Sequence, residues 1–416
     1  MSKTLQHGFN QGRRDLLVGG AALAGGAILG APFVARAQGK GEPVKVSVGW
    51  IPWAALNSPV SKYMIQNKLF EKRAAEQGYD VTVDWREYPT ALPMVEAVVG
   101  NNLDIGMWGN TPIVRAISTG LPISLGVVGE GHLRFLLTTR KGSPIHNIQD
   151  LKGKTIGVSL GGDPQSALTQ MMKYELGSSD PKDNGIKLIN MPTHAQAASV
   201  PNGVDATCTI SPAYYAAQPT GTVAIMNSFG YTEDYYEGPL GKGAGILIPS
   251  VKQSPFYPDG YYLHRSFWLM RNQLPEKYPK VVVAFLVAMQ DAVAALHAMD
   301  AGQVSQLVKD YWKLDPVAGA KVVKDDVLFA RGWDWPTEND ARAVLEASKY
   351  MVANKVIDNP LNWKQVKDAF SRTAPLVKQA YDLSGKKPPE SDFMRTDASD
   401  LRGVPVWQME KWKEYT

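Results

Sequence analysis

From residue 44 onward, short strand-like apolar segments alternate with helix-like ones. In LDIGMW, Leu103, Ile105 and Met107 occupy every second position, as one face of a strand would. The chain then reaches Asn110, Thr111 and Pro112, which predict a helix cap and a proline in the first helical turn. Alternation of this kind predicts a mostly parallel sheet covered by helices.

This strand and helix pattern occurs twice along the chain. The first set has the predicted strands VKVSVGWI, VTVDWREY, LDIGMW and PISLGVVG, with helices over 59–78, over 92–99 and after Asn110. The second set has LRFLLTTR, TIGVSL, IKLINM and VDATCTI, with helices from about 165 and near 194–200. The sequence therefore predicts two α/β units in series.

The C-terminal part of the chain has a different pattern. From Pro275 to about Asn354 the apolar residues recur at three- and four-residue spacing, which predicts helices. After Pro375 the chain becomes charged and rich in proline, which predicts a loop or a strap on the surface.

The N-terminal segment is predicted to be an export signal rather than part of the fold. Arg13 and Arg14 precede an apolar run rich in Gly and Ala, and residues 35–37 offer a small-x-small cleavage site. The arginine pair followed by leucines resembles a twin-arginine signal, although the polar residues around it also suit the general secretion route. Cleavage after residue 37 would leave a chain expected to be soluble, without stable membrane insertion.

Charge and cysteine content narrow the class of protein. Residues 1–37 contain four Lys or Arg and one Asp, so their removal would lower the formal net charge from +4 to +1. A nearly neutral surface argues against a nucleic-acid partner. The single cysteine, Cys208, lies in the apolar stretch VDATCTI and is expected to be buried, so the chain must rely on its core without disulfides.

One segment carries a specific family resemblance. SPIHNIQDLKGKTIGVSLGGDPQSAL resembles the second-lobe entrance of solute-binding proteins of the nitrate, sulfonate and taurine class of ABC importers. Further matches follow in the expected order: VGWIPWAALNSPVSKYMIQNKLFEKRAAEQG, then ALPMVEAVVGNNLDIGMWGNTPIVRA, then NGVDATCTISPAYYAAQ. The resemblance covers roughly residues 44–300.

The resemblance implies a two-lobed periplasmic binding protein fold of type II, with each lobe a mostly parallel sheet flanked by helices. After the predicted signal over 1–37, it implies a first lobe over 38–132 and 262–320 and a second lobe over 133–261. The helical C-terminal extension and tail predicted over 321–416 is longer than the family's usual ending. The resemblance also implies a periplasmic, monomeric protein without a cofactor, which would deliver a small-molecule ligand to an ABC permease and its ATPase. The class is related in fold to binding proteins for thiamine-pyrimidine precursors.

Candidate ligand-binding residues lie where predicted strands end. Open parallel sheets bind ligands at the carboxyl ends of their strands, where helix N-termini point unpaired N–H groups outward. Each such loop carries a hydroxyl, an amide or a glycine, in most cases near an aromatic ring. The predicted ligand-binding residues are Trp53, Asn57, Tyr88, Thr90, Trp108, Asn110, Thr111, Gly162, Gln165, Ser166, Ser211, Tyr214 and His264.

Each of these residues also has a purely structural alternative. A Ser, Thr or Asn before a helix is often an ordinary cap. Trp108 would line an apolar slot opposite Trp53 if its strand ends at the following glycine, but it would be a core residue if it packs under the next helix. Tyr214 and Tyr215 point about 100° apart on a helix, so only one can face a ligand.

The charge of the ligand is less constrained by the sequence. Helix N-termini favour an anionic group. Formal cations near the predicted cleft are few, and each is also explained as a surface or interlobe residue: Arg86, His132, Arg134, His264 and Arg265. A small organic anion with an apolar or aromatic body fits best, and a neutral heterocycle remains an alternative.

Two other classes of function compete with an importer subunit. The same fold occurs in fungal thiamine-pyrimidine synthases, whose chemistry needs a cysteine-rich iron-binding segment that a chain with one cysteine lacks. The six histidines stand far apart and no Gly-x-Ser-x-Gly motif occurs, so neither a metal site nor a serine nucleophile is indicated. A ligand-sensing subunit of a membrane receptor is the second alternative, and the sequence does not separate it from import.

Overall fold

A computed structural model describes residues 41–416, except 56, 132, 233–236, 239–240, 243–244, 258–259, 326–334 and 386–402. The predicted export signal over 1–37 and His132 therefore lie outside the described residues.

The first four strands are those of the predicted first set. The last strand follows the second set along the chain and returns to the first sheet. They are β1 (Glu42–Trp50), β2 (Tyr79–Glu87), β3 (Ile105–Gly109), β4 (Ile123–Gly131), β5 (Phe135–Arg140), β6 (Thr155–Val158), β7 (Lys187–Asn190), β8 (Ala206–Ile210), β9 (Thr222–Asn227), β10 (Glu237–Gly238), β11 (Gly241–Lys242) and β12 (Arg265–Arg271).

The helices fill the connections and form the C-terminal part of the chain. They are α1 (Asn57–Asn67), α2 (Leu69–Glu76), α3 (Ala91–Val99), α4 (Asn110–Ser118), α5 (Asp163–Leu176), α6 (Thr193–Gln196), α7 (Ser211–Ala217), α8 (Gln273–Lys277), α9 (Pro279–His297), α10 (Ala301–Leu307), α11 (Lys309–Trp312), α12 (Pro316–Asp325), α13 (Glu338–Ala353), α14 (Trp363–Ser371) and α15 (Ala374–Ser384).

The larger strands form two five-stranded sheets within one compact unit. The first sheet has the order β2-β1-β3-β12-β4, and the second has the order β7-β6-β8-β5-β9. In each sheet one strand is antiparallel to its neighbours: β12 in the first and β5 in the second. The mixed α/β fold with two mostly parallel sheets, flanked by helices, confirms the predicted fold class.

Each antiparallel strand is the one that the chain enters as it passes from one sheet to the other. Strand β4 ends at residue 131 and β5 begins at 135, so the carboxyl end of β4 lies beside the amino end of β5. Because β5 runs against its neighbours, its amino end lies at the carboxyl edge of the second sheet. The carboxyl edges of the two sheets therefore meet at this passage.

The structure corrects one predicted helix. The sequence indicates a single helix over 59–78, but the structure has α1 and α2 separated at Lys68, whose backbone is left-handed with φ 49°. The break redirects α2 so that Phe70 is buried, with its ring 5.3 Å from that of Phe285 in α9. Tertiary packing thus overrides the local helical pattern.

Helix α9 belongs to the core of the first lobe. It is long and apolar enough to cross a membrane by length and composition, but most of its residues are buried inside the protein. It packs against α1, α2 and α15. The ring of Phe285 also lies 5.2 Å from that of Trp268 in β12, which joins the helix to the sheet.

The C-terminal helices are fastened to the first sheet by a buried ion pair. Helix α13 packs against α4 and β12, and α14 and α15 pack against β4. The guanidinium Nε of Arg265 donates to Asp340 Oδ1 at 2.6 Å, and these side chains are only 4% and 1% exposed. Asp340 Oδ2 also accepts hydrogen bonds from the backbone N–H and hydroxyl of Thr337, which caps α13.

We expect Asp340→Asn to lower the free energy of unfolding by about 3–5 kcal/mol, because it leaves the Arg265 guanidinium buried without a charged partner. Chemical denaturation followed by circular dichroism measures the loss. Asp368→Asn is the matched control, since the Lys364–Asp368 pair has side chains that are 82% and 59% exposed. Its removal should cost less than about 1 kcal/mol. Equal losses in the two variants would contradict a dominant anchoring role for the buried pair.

Candidate functional site

A cleft lies between the carboxyl edges of the two sheets. About 650 Å³ of space lies within it, including the part open to solvent. The first-sheet side is lined by Ile51, Trp53, Ala54, Pro89, Thr90, Ala91, Met107, Gly109 and Glu130, and the second-sheet side by Leu133, Phe135, Ser159, Gly162, Asp163, Pro164, Thr193 and Ile210, with His264 and Ser266 from the returning chain.

Four of the predicted ligand-binding residues line this cleft. They are Trp53, Thr90, Gly162 and His264. Trp53 follows β1 and is half-buried, so part of its indole faces the open space. The imidazole of His264 stands edge-on to the ring of Phe135, with the ring centres 5.6 Å apart. The cleft therefore has aromatic surfaces on both sides.

Asp163 links the two lobes at the base of the cleft. Its Oδ1 accepts hydrogen bonds from the backbone N–H and the hydroxyl of Thr111, both at 3.1 Å. Thr111 lies in the first turn of α4, so a carboxylate from the second lobe neutralises the positive end of a first-lobe helix. The hydroxyl of Ser166 adds a further interlobe contact, 2.8 Å from Thr111 Oγ1.

Buried tyrosines surround the same carboxylate. The Tyr262 hydroxyl donates to Asp163 Oδ1, and the ring of Tyr350, from α13, lies 5.7 Å from that of Tyr262. Burial, and next the charge of Asp163, raise the pKa of Tyr262 well above its ordinary value. Burial is also the main cause of the raised pKa of Tyr350. Both phenols stay protonated at neutral pH, so Tyr262 remains a donor.

A glycine permits this close approach between the lobes. A Cβ built on Gly109 would lie only 1.8 Å from Asp163 Oδ2. Gly109 has an ordinary negative φ of −81°, so the requirement for glycine comes from the contact and not from the backbone conformation. Asp163 Oδ2 also lies 4.0 Å from Nε2 of His264.

A second carboxylate lies on the first-lobe side of the cleft. Glu130 is the penultimate residue of β4, is 4% exposed, and accepts a hydrogen bond from the backbone N–H of Asn57 at 3.1 Å. Asn57 is the first residue of α1, so Glu130 stands at the positive end of that helix. Ser266 holds the Glu130 backbone, accepting from its N–H and donating to its carbonyl.

Several predicted ligand-binding residues have structural roles instead of cleft-facing positions. The side chain of Asn110 does not cap α4, whose cap position is Gly109; it bonds the carbonyl of Leu263 and the N–H of Arg265. Asn57, Thr111 and Ser166 are buried in the contacts described above. Gln165 accepts a hydrogen bond from the N–H of Gly161, within its own loop.

The aromatic residues Trp108, Tyr88 and Tyr214 also lie outside the cleft lining. Trp108 is 0% exposed and pairs with Phe267 across β3 and β12, so the structure supports its packing alternative. Tyr88 packs against the core, while its neighbours Pro89 and Thr90 face the cleft. Tyr214 lines a separate cavity in the second lobe, and Ser211 is buried at the start of α7.

Of the expected cations, His264 lines the cleft, whereas Arg86, Arg134 and Arg265 are not among the described residues of the lining. Arg265 pairs with Asp340, and Arg86 pairs with Asp84 at 2.6 Å on the surface. Arg134 is buried beside Tyr215, whose hydroxyl accepts from it at 3.4 Å. In the described part of the chain, no group of three or more His, Cys, Asp or Glu side chains is arranged to hold a metal ion.

Glu130 and Phe135 are cleft residues that the sequence pattern did not predict, and Asp163 has a specific role that the pattern did not indicate. Phe135 is the first residue of β5 and looks like an ordinary apolar strand position. The two acidic residues could have been found from their positions in the sequence. Glu130 lies near the end of a strand that faces the cleft, and Asp163 is the first residue of a helix. Carboxylates at such positions can pair with helix N-termini, which is the contact that the structure has.

Comparison with known proteins agrees with this architecture. The family model described as NMT1/THI5 like matches residues 74–239. The chain is 26% identical over 167 residues to an Escherichia coli (strain K12) protein named as an aliphatic sulfonates-binding protein, covering 38% of this chain and 48% of that one. It is 25% identical over 260 residues to the taurine-binding periplasmic protein of the same strain, covering 60% of this chain and 65% of that one.

A solved structure shows the same fold along most of the chain. The alkanesulfonate-binding protein SsuA from Xanthomonas axonopodis pv. citri, bound to MOPS, superposes with a TM-score of 0.59 at 17% identity, covering 79% of this chain and 98% of that one. The sequence matches span about half to two thirds of the length of the two relatives. Taken with the family model and the fold, they support the resemblance to the nitrate, sulfonate and taurine family of substrate-binding proteins.

Proposed function

We propose that this protein is an exported solute-binding protein, which captures a small molecule between its lobes and delivers it to an ABC permease and its ATPase. The observation that carries the proposal is the interlobe cleft, whose lining is largely apolar and aromatic with a few buried polar groups. The names of the two sequence relatives support a binding role over an enzymatic one. A periplasmic location and a monomeric state belong to the same proposal.

Binding in this cleft depends on the distance between the lobes. Trp53 comes from the first lobe and Phe135 from the second, so a ligand that contacts both holds the lobes together. The hydrogen bonds from Thr111 to Asp163 also cross between the lobes. A ligand shifts the equilibrium towards the closed form only if it binds that form more tightly.

Native mass spectrometry of the protein purified without denaturation tests for a bound small molecule directly. A thermal-shift screen of sulfonates, aromatic carboxylates, nitrate, pyrimidines and amines then identifies the class, because a ligand at 100 times its Kd stabilises the fold by about 2.7 kcal/mol. The small organic anion expected from the sequence is one arm of this screen. Failure of every class to copurify or stabilise would overturn the binding role.

The importer is distinguished from the receptor alternative by reconstitution. The purified permease and ATPase of a neighbouring transporter operon, in proteoliposomes, should hydrolyse ATP faster when the loaded protein is added. A receptor subunit would leave ATP hydrolysis unchanged, although it would use the same cleft. Turnover of the bound molecule without any transporter would instead support an enzyme.

Trp53→Ala should weaken binding of the ligand identified in the screen at least tenfold, about 1.4 kcal/mol, while the melting temperature changes little, because the indole is half-buried at the cleft. Trp108→Ala is the matched control. It should cost about 3–5 kcal/mol of stability, because that indole is fully buried. Isothermal titration and thermal unfolding measure the two effects, and an inverted pattern would contradict these assignments.

Gly109→Ala should hold the lobes apart, because its Cβ would overlap Asp163 Oδ2. We expect weaker binding and a larger radius of gyration by small-angle scattering at saturating ligand. Gly162→Ala is the control on the opposite wall, where a new Cβ would make an ordinary contact, 3.5 Å from Pro164. Identical scattering from wild type and Gly109→Ala would show that closure does not need this contact.

A further inference from the structure

The charged groups around the cleft are mainly acidic. Glu130 and Asp163 both line it, and they are 4% and 8% exposed. His264 is the one basic side chain among the described residues of the lining. A buried carboxylate repels an anion at short range because the interior screens charge far less than water does. This lining is therefore unfavourable for a ligand that presents only a negative group.

Two of the helix N-termini near the cleft are already paired with carboxylates. The first N–H of α1 donates to Glu130, and the N–H of Thr111 in α4 donates to Asp163. Both helices exceed eight residues, so each carries an appreciable positive end. Because the chain's own carboxylates neutralise these two ends, a second anion would gain little from them.

The nearby arginines are also engaged elsewhere. Arg265 donates to Asp340 and to the carbonyl of His264, in a buried position behind the cleft. Arg134 contacts the hydroxyl of Tyr215. Neither arginine is among the residues that line the cleft.

The two oxygens of Asp163 differ in their surroundings. Oδ1 accepts three hydrogen bonds, two from Thr111 and one from Tyr262. Oδ2 lies over Gly109, which lines the cleft, and stands 4.0 Å from His264. The hydrogen bonds at Oδ1 thus fix the carboxylate so that a second oxygen remains on the side of the glycine.

We propose that the ligand of this cleft carries a protonated amine or amidine, recognised by the carboxylates of Glu130 and Asp163. This inference rests on the proposed binding function and narrows its ligand class. The apolar part of the ligand lies between Trp53 and Phe135, while its N–H donors face the carboxylates. Such a ligand supplies a positive charge, which among the described residues of the lining only His264 could otherwise offer. A zwitterion would place its positive end at the carboxylates in the same way.

Matched probes separate ligand charge from ligand shape. The small set is ethylamine, taurine and ethanesulfonate, and the aromatic set is benzylamine, benzyl alcohol and benzenesulfonate. Isothermal titration to wild type and to Trp53→Ala assigns binding to the cleft, because only cleft binding depends on that indole. We expect an amine to bind most tightly in each set, with taurine between ethylamine and ethanesulfonate.

Two charge-removing variants test which groups recognise the amine. Glu130→Gln and Asp163→Asn keep the side-chain shape, and each should weaken amine binding at least tenfold. Glu130→Gln should change the affinity for benzyl alcohol less than threefold. Thermal unfolding identifies folding damage in Asp163→Asn, which also removes the negative charge from the interlobe contact with Thr111. Glu130→Gln then remains the informative variant.

Binding of either sulfonate to the cleft more tightly than its matched amine would overturn the inference, as would amine binding that neither variant weakens or a failure of both amines to bind. The proposed function would still stand after any of these outcomes if another solute binds to the protein and Trp53→Ala weakens that binding. Failure of every solute class in the wider screen would instead overturn the proposed function itself.

Discussion

The contact between Asp163 and the first turn of α4 is the constraint on which the closed arrangement depends. It joins one lobe to the other through a single carboxylate oxygen that accepts from Thr111 and Tyr262. A buried carboxylate is costly unless donors surround it. The phenol, the hydroxyl and the helix N–H meet that requirement, and the missing side chain at Gly109 supplies the necessary space.

The strand and helix order was predictable from the sequence because it depends on local patterns. Strands β1 to β4 lie on apolar segments whose spacing is visible without any tertiary information. The break at Lys68 was not predictable in this way, since it arises from the burial of Phe70 against α9. A local pattern indicates a helix but not the direction in which the core requires it to continue.

The candidate site was only partly predictable, because residues near the end of a strand can face either side of the sheet. Trp108 lies at the expected strand end, but its indole is buried in the core, whereas Met107 and Gly109 line the cleft. Trp53 lies in the loop after β1 and stays partly exposed. The charge of the site was predicted least well, because pairing of helix ends with Glu130 and Asp163 depends on contacts between distant parts of the chain.

The contacts around residues 263–265 fasten the returning chain to the first lobe. Asn110 bonds both Leu263 and Arg265, and Arg265 is held in turn by Asp340 of the C-terminal extension. The extension therefore braces the point at which the chain enters β12, directly after the cleft residue His264.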